Sequence, residues 1–405
     1  MLVAGASTIA GVTFGAWYFN FGNPLMSTTK TEAMAFEQLL TRRPKGKCEE
    51  LSELAREVLL AAYDSCDHDE DGMINVAELR RALVQDALCR SLLSALTPDG
   101  DPDEVVEQMD ANHDGVISFG EFLLYFEGCS APQGCLAGVQ RPDSDHVWGY
   151  EGVLGPKHWS KLSAGNSLAR CGHAQSPINI TSVGRSTAGG VIQYVLPKQG
   201  DAAPTATLSN NGHTIVVAFG NNGKGGGGRL TASGVGGPAK NFVLRQLHFH
   251  AESEHTVDGR RYPLEMHLVH VQQTRDGGLC PEGSQLAVVG VLFQLGSEPS
   301  DFLRQILESG GGGGAASPMP GEGKTWTVAG GVSLAPLGLL GSAVTRYDGS
   351  LTTPPCSEEV LWCVADRVQT MTAEQLGALT AQMPANNFRP TQPLNGRTMG
   401  SAVMR

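Results

Sequence analysis

At 405 residues and 42.7 kDa the chain is long enough for about two to four domains and a sizeable core, which excludes a single small stapled module. With 41% apolar and 17% charged residues and a mean hydropathy of −0.12, it is neither a disordered polyelectrolyte nor a polytopic membrane protein. The formal charge of −12 is concentrated: residues 48–128 carry 20 acidic and 4 basic side chains, residues 129–405 carry 19 and 20. That block speaks for cations and against nucleic acid.

In chain order, residues 1–29 hold no charged side chain, and residues 2–21 are long enough to span a bilayer as a helix. The basic residues Lys30, Arg42, Arg43, Lys45 and Lys47 follow this apolar run, whereas a secretory signal carries its positive charge ahead of it. Residues 1–29 are therefore expected to be a targeting or membrane-anchor segment (an atypical cleaved signal, an uncleaved anchor or part of an organelle presequence), with a basic connector at 30–47. Across 48–128 the apolar spacing of Leu51, Leu54, Val58, Leu59 and Ala62, of Leu79, Ala82 and Leu83, of Val105, Val106 and Met109, and of Phe122, Leu123 and Phe126 predicts four amphipathic helices in two pairs. Pro132, Gly134 and Pro142 mark a linker at 129–145. Beyond it, short apolar runs at 215–219, 264–271, 286–295 and 360–364 predict a mainly β domain over 146–401. The glycine runs at 225–228 and 310–314 read as surface insertions, since neither leads into a phosphate-binding helix start.

Two twelve-residue stretches in the acidic block begin at Asp67 and Asp110 and share one register. The first places Asp67, Asp69, Asp71, Met73, Asn75 and Glu78 at loop positions 1, 3, 5, 7, 9 and 12; the second places Asp110, Asn112, Asp114, Val116, Ser118 and Glu121 there, each with Gly at position 6. A hard cation such as Ca2+ wants six to eight oxygens, which alternate side chains of a tight loop and a closing Glu supply. Met73 and Val116 would contribute backbone carbonyls, and Asn75 and Ser118 would act through water. Both stretches resemble EF-hand loops, which implies two bound Ca2+ ions and a short β-bridge between Ile74 and Ile117. The first loop offers four carboxylates and the second three, so the first is expected to bind more tightly.

In the β domain His248 and His250 are two residues apart, so on a strand both point to one face; an adjacent strand could add His267. Three imidazole nitrogens leave one position of tetrahedral Zn2+ open, as catalytic zinc sites require. The runs Trp148-Gly149-Tyr150, Gly155-Pro156-Lys157-His158-Trp159, Gln175-Ser176-Pro177-Ile178-Asn179-Ile180, Asn210-Asn211-Gly212-His213, the 248–270 block, Leu351-Thr352-Thr353-Pro354-Pro355 and Asn387-Phe388-Arg389-Pro390 together resemble the α-class carbonic anhydrases, nearest their plant, algal and bacterial forms.

The resemblance implies an all-α EF-hand pair followed by a large central, mostly antiparallel twisted sheet with peripheral helices. It implies zinc-dependent hydration of CO2 to bicarbonate, one Zn2+ on His248, His250 and His267, and a water whose pKa falls from about 15.7 to about 7. Thr352 and Glu254 would orient the nucleophile. Gln246, Glu265, Asn387 and His255 would support the ligand histidines. Val269, Val288, Leu351, Trp362 and Thr353 would line the CO2 pocket. His213 would shuttle protons, histidine being the side chain that titrates near neutrality, with Tyr150 and Asn211 ordering the water chain. Val216 stands where many relatives carry a polar residue.

Nine cysteines leave at least one unpaired or intermolecular. The resemblance pairs Cys171 with Cys356, as in exported relatives, which points to an exported protein or an organelle lumen with oxidising conditions. Cys129 with Cys135 is a further candidate pair, and Cys363 reads as a buried apolar residue. The expected partners are CO2 and bicarbonate, Ca2+ and, through the N-terminal segment, a membrane; no nucleic acid is expected. The competing reading is a calcium-binding or matrix-interaction protein carrying a catalytically silent carbonic-anhydrase-like domain.

Overall fold

The computed structural model describes residues 8–9, 12–13, 51–85, 108–127, 148–181, 192–197, 204–220, 227–233, 238–274, 285–308, 319–328 and 330–405. Within the apolar N-terminal stretch, β1 (Thr8–Ile9) and β2 (Val12–Thr13) pair antiparallel, so these residues are extended and not helical. The rest of the expected targeting or membrane-anchor segment at 1–29, the expected basic connector at 30–47 and the expected linker at 129–145 lie outside the described residues. Among the described residues no helix is long and apolar enough to cross a membrane.

The acidic block folds into α1 (Glu53–Cys66), β3 (Ile74–Asn75), α2 (Val76–Gln85), β4 (Val116–Ile117) and α3 (Phe119–Phe126). Ser52 caps α1, its hydroxyl accepting from the Ala55 N–H at 3.3 Å. Ser118 and Glu121 form a reciprocal capping box at the start of α3. The two loops are joined as expected, with Ile74 opposite Ile117 in the antiparallel β3–β4 pair. The predicted helix around Val105 and Val106 lies largely outside the described residues.

The β domain is a twelve-stranded sheet among the described residues. The chain supplies β5 (Asn179–Ile180), β6 (Ile192–Val195), β7 (Ala206–Asn210), β8 (Ile215–Phe219), β9 (Arg229–Ser233), β10 (Ala239–His250), β11 (Thr256–Val257), β12 (Leu264–Gln272), β13 (Leu286–Leu295), β14 (Thr325–Val328), β15 (Ala343–Gly349), β16 (Val360–Ala365), β17 (Gln369–Met371) and β18 (Gly400–Val403). The central order is β14-β7-β8-β10-β12-β13-β16-β15-β18, and the short β5 and β11 pair apart from it. Within the large sheet the pairings are antiparallel except where β13 meets β16 and β17, and the separate β5–β11 pair is parallel. Phe249, Met266, Leu268, Val289 and Val291 face one side and are fully buried under α4 (Asp301–Leu307) and the outer strands. Such side chains contribute about 1.5–3 kcal/mol each on burial. That core fixes the middle strands, and the opposite face of β10 and β12 is left to carry polar residues.

Candidate functional site

Antiparallel pairing sets His248 directly opposite His267, and His250 opposite Glu265. The rings of His248, His250 and His267 meet with centroids 5.0, 5.1 and 4.5 Å apart. One nitrogen of each falls within 4.8 Å of the others. The remaining nitrogens are tied off: His248 Nδ1 donates to Gln246 Oε1 at 3.0 Å, His250 Nδ1 to the Asn387 carbonyl at 2.7 Å, and His267 Nε2 to Glu265 Oε1 at 2.9 Å. These bonds select Nε2 of His248 and His250 and Nδ1 of His267 as the atoms facing the centre. His250 Nε2 is buried and has no hydrogen-bond partner. Burial holds all three imidazoles below their ordinary pKa, His250 down to about 4, so each is neutral and offers a lone pair. The donor set and the orphaned nitrogen fit a divalent ion such as zinc.

Glu265 is fully enclosed. Burial alone would raise its pKa, but His255 and His267 beside it hold it well below the usual carboxylate range. His255 Nδ1 lies 2.7 Å from Glu265 Oε1, and its Nε2 meets the Tyr347 hydroxyl at 2.6 Å. Opposite His267 stands Gly290, whose absent side chain matters: a Cβ there would come within 3.1 Å of Glu265 Oε1. Gly290, Tyr347 and Arg389 are functional neighbours that sequence reasoning missed, since each acts through distant strands or the C-terminal segment and no local spacing announces it.

Glu254 lies over the histidines, its Oε2 3.5 Å from His250 Nε2 and 3.9 Å from His267 Nδ1. Its Oε1 accepts from the Arg389 backbone N–H at 2.8 Å, and the Thr352 hydroxyl hydrogen-bonds the carboxylate. Burial pushes Glu254 up to about 7, against the nearby His267 and these bonds. Val269, Val288 and Trp362 form one row across β12, β13 and β16, with Leu351 packed against the same cluster. Thr353, half-buried, accepts the Cys356 N–H through its carbonyl and closes the turn that carries Thr352.

His213 sits on a turn held by the Asn211 side chain, whose Oδ1 accepts the His213 and Thr214 N–H groups at 3.0 and 2.9 Å. Asn387 Nδ2 donates to the His213 and Phe249 carbonyls, both at 3.0 Å, so one residue ties the turn to the strand that bears His250. Trp148 stacks on His213 and Tyr150 lies edge-on to it, ring centroids 6.5 Å apart. Val216 is opposite His248 across the β8–β10 pair.

In the acidic block Asp67, Asp69 and Asp71 bring carboxylate oxygens within 4.8 Å of one another. Glu78 folds back over its loop, accepting from the His68 N–H at 2.9 Å and the Asn75 N–H at 3.0 Å. Glu121 repeats this with the Ala111 and Ser118 N–H groups. Asp67 and Asp110 each accept the N–H of the position-6 glycine, and Asp114 accepts from Val116 as Asp71 does from Met73. Asp67 Oδ1 is buried with no hydrogen-bond partner, an oxygen that a calcium ion would satisfy.

The expected Cys171–Cys356 disulfide is not formed. Cys171 lies exposed at the end of the helical turn Leu168–Cys171, its Sγ 3.2 Å from the Ser167 carbonyl. Cys356 is a free thiol inside an apolar cluster, its pKa pushed up to about 11 by burial. Cys363 is buried and free, as expected; Cys129 and Cys135 lie outside the described residues. Cys66, at the end of α1, is disulfide-bonded.

Residues 154–402 match the eukaryotic-type carbonic anhydrase family and residues 56–127 match the EF-hand domain pair. The chain is a member of the carbonic anhydrase family. A carbonic anhydrase of Pectobacterium atrosepticum is 35% identical over 263 residues, covering 63% of this chain and 90% of that one. Alpha carbonic anhydrase 4 of Arabidopsis thaliana is 33% identical over 248 residues, covering 60% and 81%. Among solved structures, the α-carbonic anhydrase of Thermovibrio ammonificans, in complex with the inhibitor sulfanilamide, aligns with a TM-score of 0.51 and 34% identity over 62% of this chain and 98% of that one. Membership of this enzyme family supports hydration of CO2, and the EF-hand pair supports calcium binding.

Proposed function

We propose that this carbonic anhydrase is a zinc enzyme that hydrates CO2 reversibly to bicarbonate and a proton, and that calcium on its EF-hand pair modulates the reaction. The observation that carries the zinc reading is the convergence of three neutral imidazole nitrogens, one of them buried without a partner, while every second nitrogen is already hydrogen-bonded. When bound, zinc supplies a Lewis acid that lets water ionise near neutral pH.

The chain's own residues do the rest. Because the Thr352 hydroxyl donates a hydrogen bond to Glu254, its oxygen is left to accept one from the attacking water, which turns a lone pair toward CO2. The row of Val269, Val288 and Trp362 offers that molecule an apolar wall and no competing donor. His213, on the turn pinned by Asn211 and Asn387, takes the released proton toward solvent. The Cys66 disulfide and the apolar leader support an oxidising compartment outside the cytosol, with membrane attachment through residues 1–29.

The test is stopped-flow CO2 hydration by the full chain, zinc-loaded and after chelation, with metal analysis. One zinc per chain and a hydration rate that disappears with it are expected; calcium uptake without stoichiometric zinc, and no acidification of a carbonated solution, would overturn the reading.

A further inference from the structure

The EF-hand pair and the catalytic domain share one apolar core. Leu59, Tyr63, Phe119 and Phe122 of the calcium module belong to the same buried cluster as Val153, Trp159 and Leu162 of the catalytic domain. The fit is close at the backbone: a Cβ on Gly120, one residue before the closing Glu121, would fall 2.2 Å from the Leu162 carbonyl oxygen. Polar contacts surround this patch. Glu53 Oε1 accepts the Val153 N–H at 3.0 Å, Lys161 pairs with Asp64 at 2.6 Å, and the Arg170 guanidinium donates to the carbonyls of Glu70 and Asp71, positions 4 and 5 of the first loop, at 2.5 and 2.6 Å. The apolar face of the pair thus has its partner in the same chain, residues 153–162.

That partner segment packs against the aromatic rings beside His213. Trp159 packs edge-on against Trp148 and Tyr150, at centroid distances of 5.5 and 6.0 Å, and its Nε1 donates to the Gly149 carbonyl at 2.8 Å. Trp148 in turn lies flat on His213. Since Gly120, Glu70 and Asp71 lie in or beside the loops that calcium would close, a change in those loops moves the surface on which residues 153–162 rest.

Resting on the hydratase reading above, we infer that calcium occupancy of the EF-hand pair sets the position of the Trp148–His213 stack through residues 153–162, and so tunes proton transfer and leaves CO2 interconversion alone. A coupling of this kind needs two arrangements of one element that both sites bias, and the shared core supplies the element.

The test is 18O exchange between CO2 and water catalysed by the zinc-loaded full chain, which separates the interconversion rate from the proton-dependent release of labelled water. It is run with calcium and with chelator, alongside calcium calorimetry and near-UV circular dichroism of the tryptophans. Chelation is expected to lower water release about fivefold, the low end of ordinary site-to-site coupling, to leave interconversion unchanged and to alter the tryptophan band. The Arg170→Ala variant is expected to keep two calcium sites by calorimetry while its water release becomes indifferent to calcium. Water release independent of calcium in the unmodified chain, an unchanged tryptophan band, absent calcium uptake, or interconversion falling in parallel would each overturn the inference. Absence of interconversion despite stoichiometric zinc would instead end the hydratase reading, and this inference with it.

Discussion

The indole of Trp148 and the imidazole of His213 lie face to face, centroids 3.7 Å apart and planes within 6°. Stacking of this kind adds about 0.5–1.5 kcal/mol beyond buried area, enough to favour one ring position without locking it. A proton carrier needs such a bias, because it must accept on one side and release on the other. His213→Ala is therefore expected to lower kcat by about 10²-fold in dilute buffer and leave kcat/KM within about twofold, with added imidazole restoring the rate. Steady-state kinetics across buffer concentrations checks this. Equal losses in both parameters would remove His213 from proton transfer.

In the proposed reaction Thr352 and Glu254 orient the nucleophile and do not hold the metal: Glu254 Oε2 lies 3.5 Å from His250 Nε2 and 3.9 Å from His267 Nδ1, beside the three-histidine group and not within it. Thr352→Val and Glu254→Gln each remove a hydrogen bond to a charged group, worth about 1.5–3 kcal/mol, so kcat/KM should fall about 10- to 150-fold. Zinc content by mass spectrometry should not change. A variant that loses its zinc would assign the pair to metal retention.

The Gln246 side chain hydrogen-bonds the far nitrogen of His248, the half-buried member of the cluster. Its loss frees the ring to rotate and to change tautomer. Gln246→Ala should weaken zinc affinity about 10- to 100-fold, read by competition with a chelator, while a fully reconstituted sample keeps most of its rate.

Much of this site is legible in the sequence. His248 and His250 had to share a face because strand side chains alternate, and the two calcium loops had to resemble each other because Asp67 and Asp110 open identical registers. What stayed hidden depends on contacts between distant segments. Gly120 and Arg170 belong to no periodic pattern, yet they carry the junction between the two domains. Trp148 was visible as part of a motif without a role, because only the folded turn at 210–214 brings His213 under it. The Cys171–Cys356 pairing rested on resemblance alone, and here one thiol is buried behind the calcium module's core while the other faces solvent.

The two calcium loops differ in charge and are joined by one hydroxyl. The Tyr63 oxygen lies 2.7 Å from the Ile117 carbonyl and 3.1 Å from that of Gly72, so it touches both loops from the core of the pair. Tyr63→Phe should destabilise the calcium-free protein by about 1 kcal/mol, measured by urea unfolding, because two buried carbonyls lose their shared donor. The first loop sets four carboxylates around its centre against three in the second, and burial raises the pKa of Asp67 as like charges crowd it. A cation relieves that crowding most where it is greatest, so the first site should bind about tenfold more tightly. Calorimetry on Asp67→Asn should show the tighter phase gone and the weaker one kept, and on Asp110→Asn the converse. The opposite assignment would mean that loop pre-organisation, and not carboxylate count, ranks the two sites.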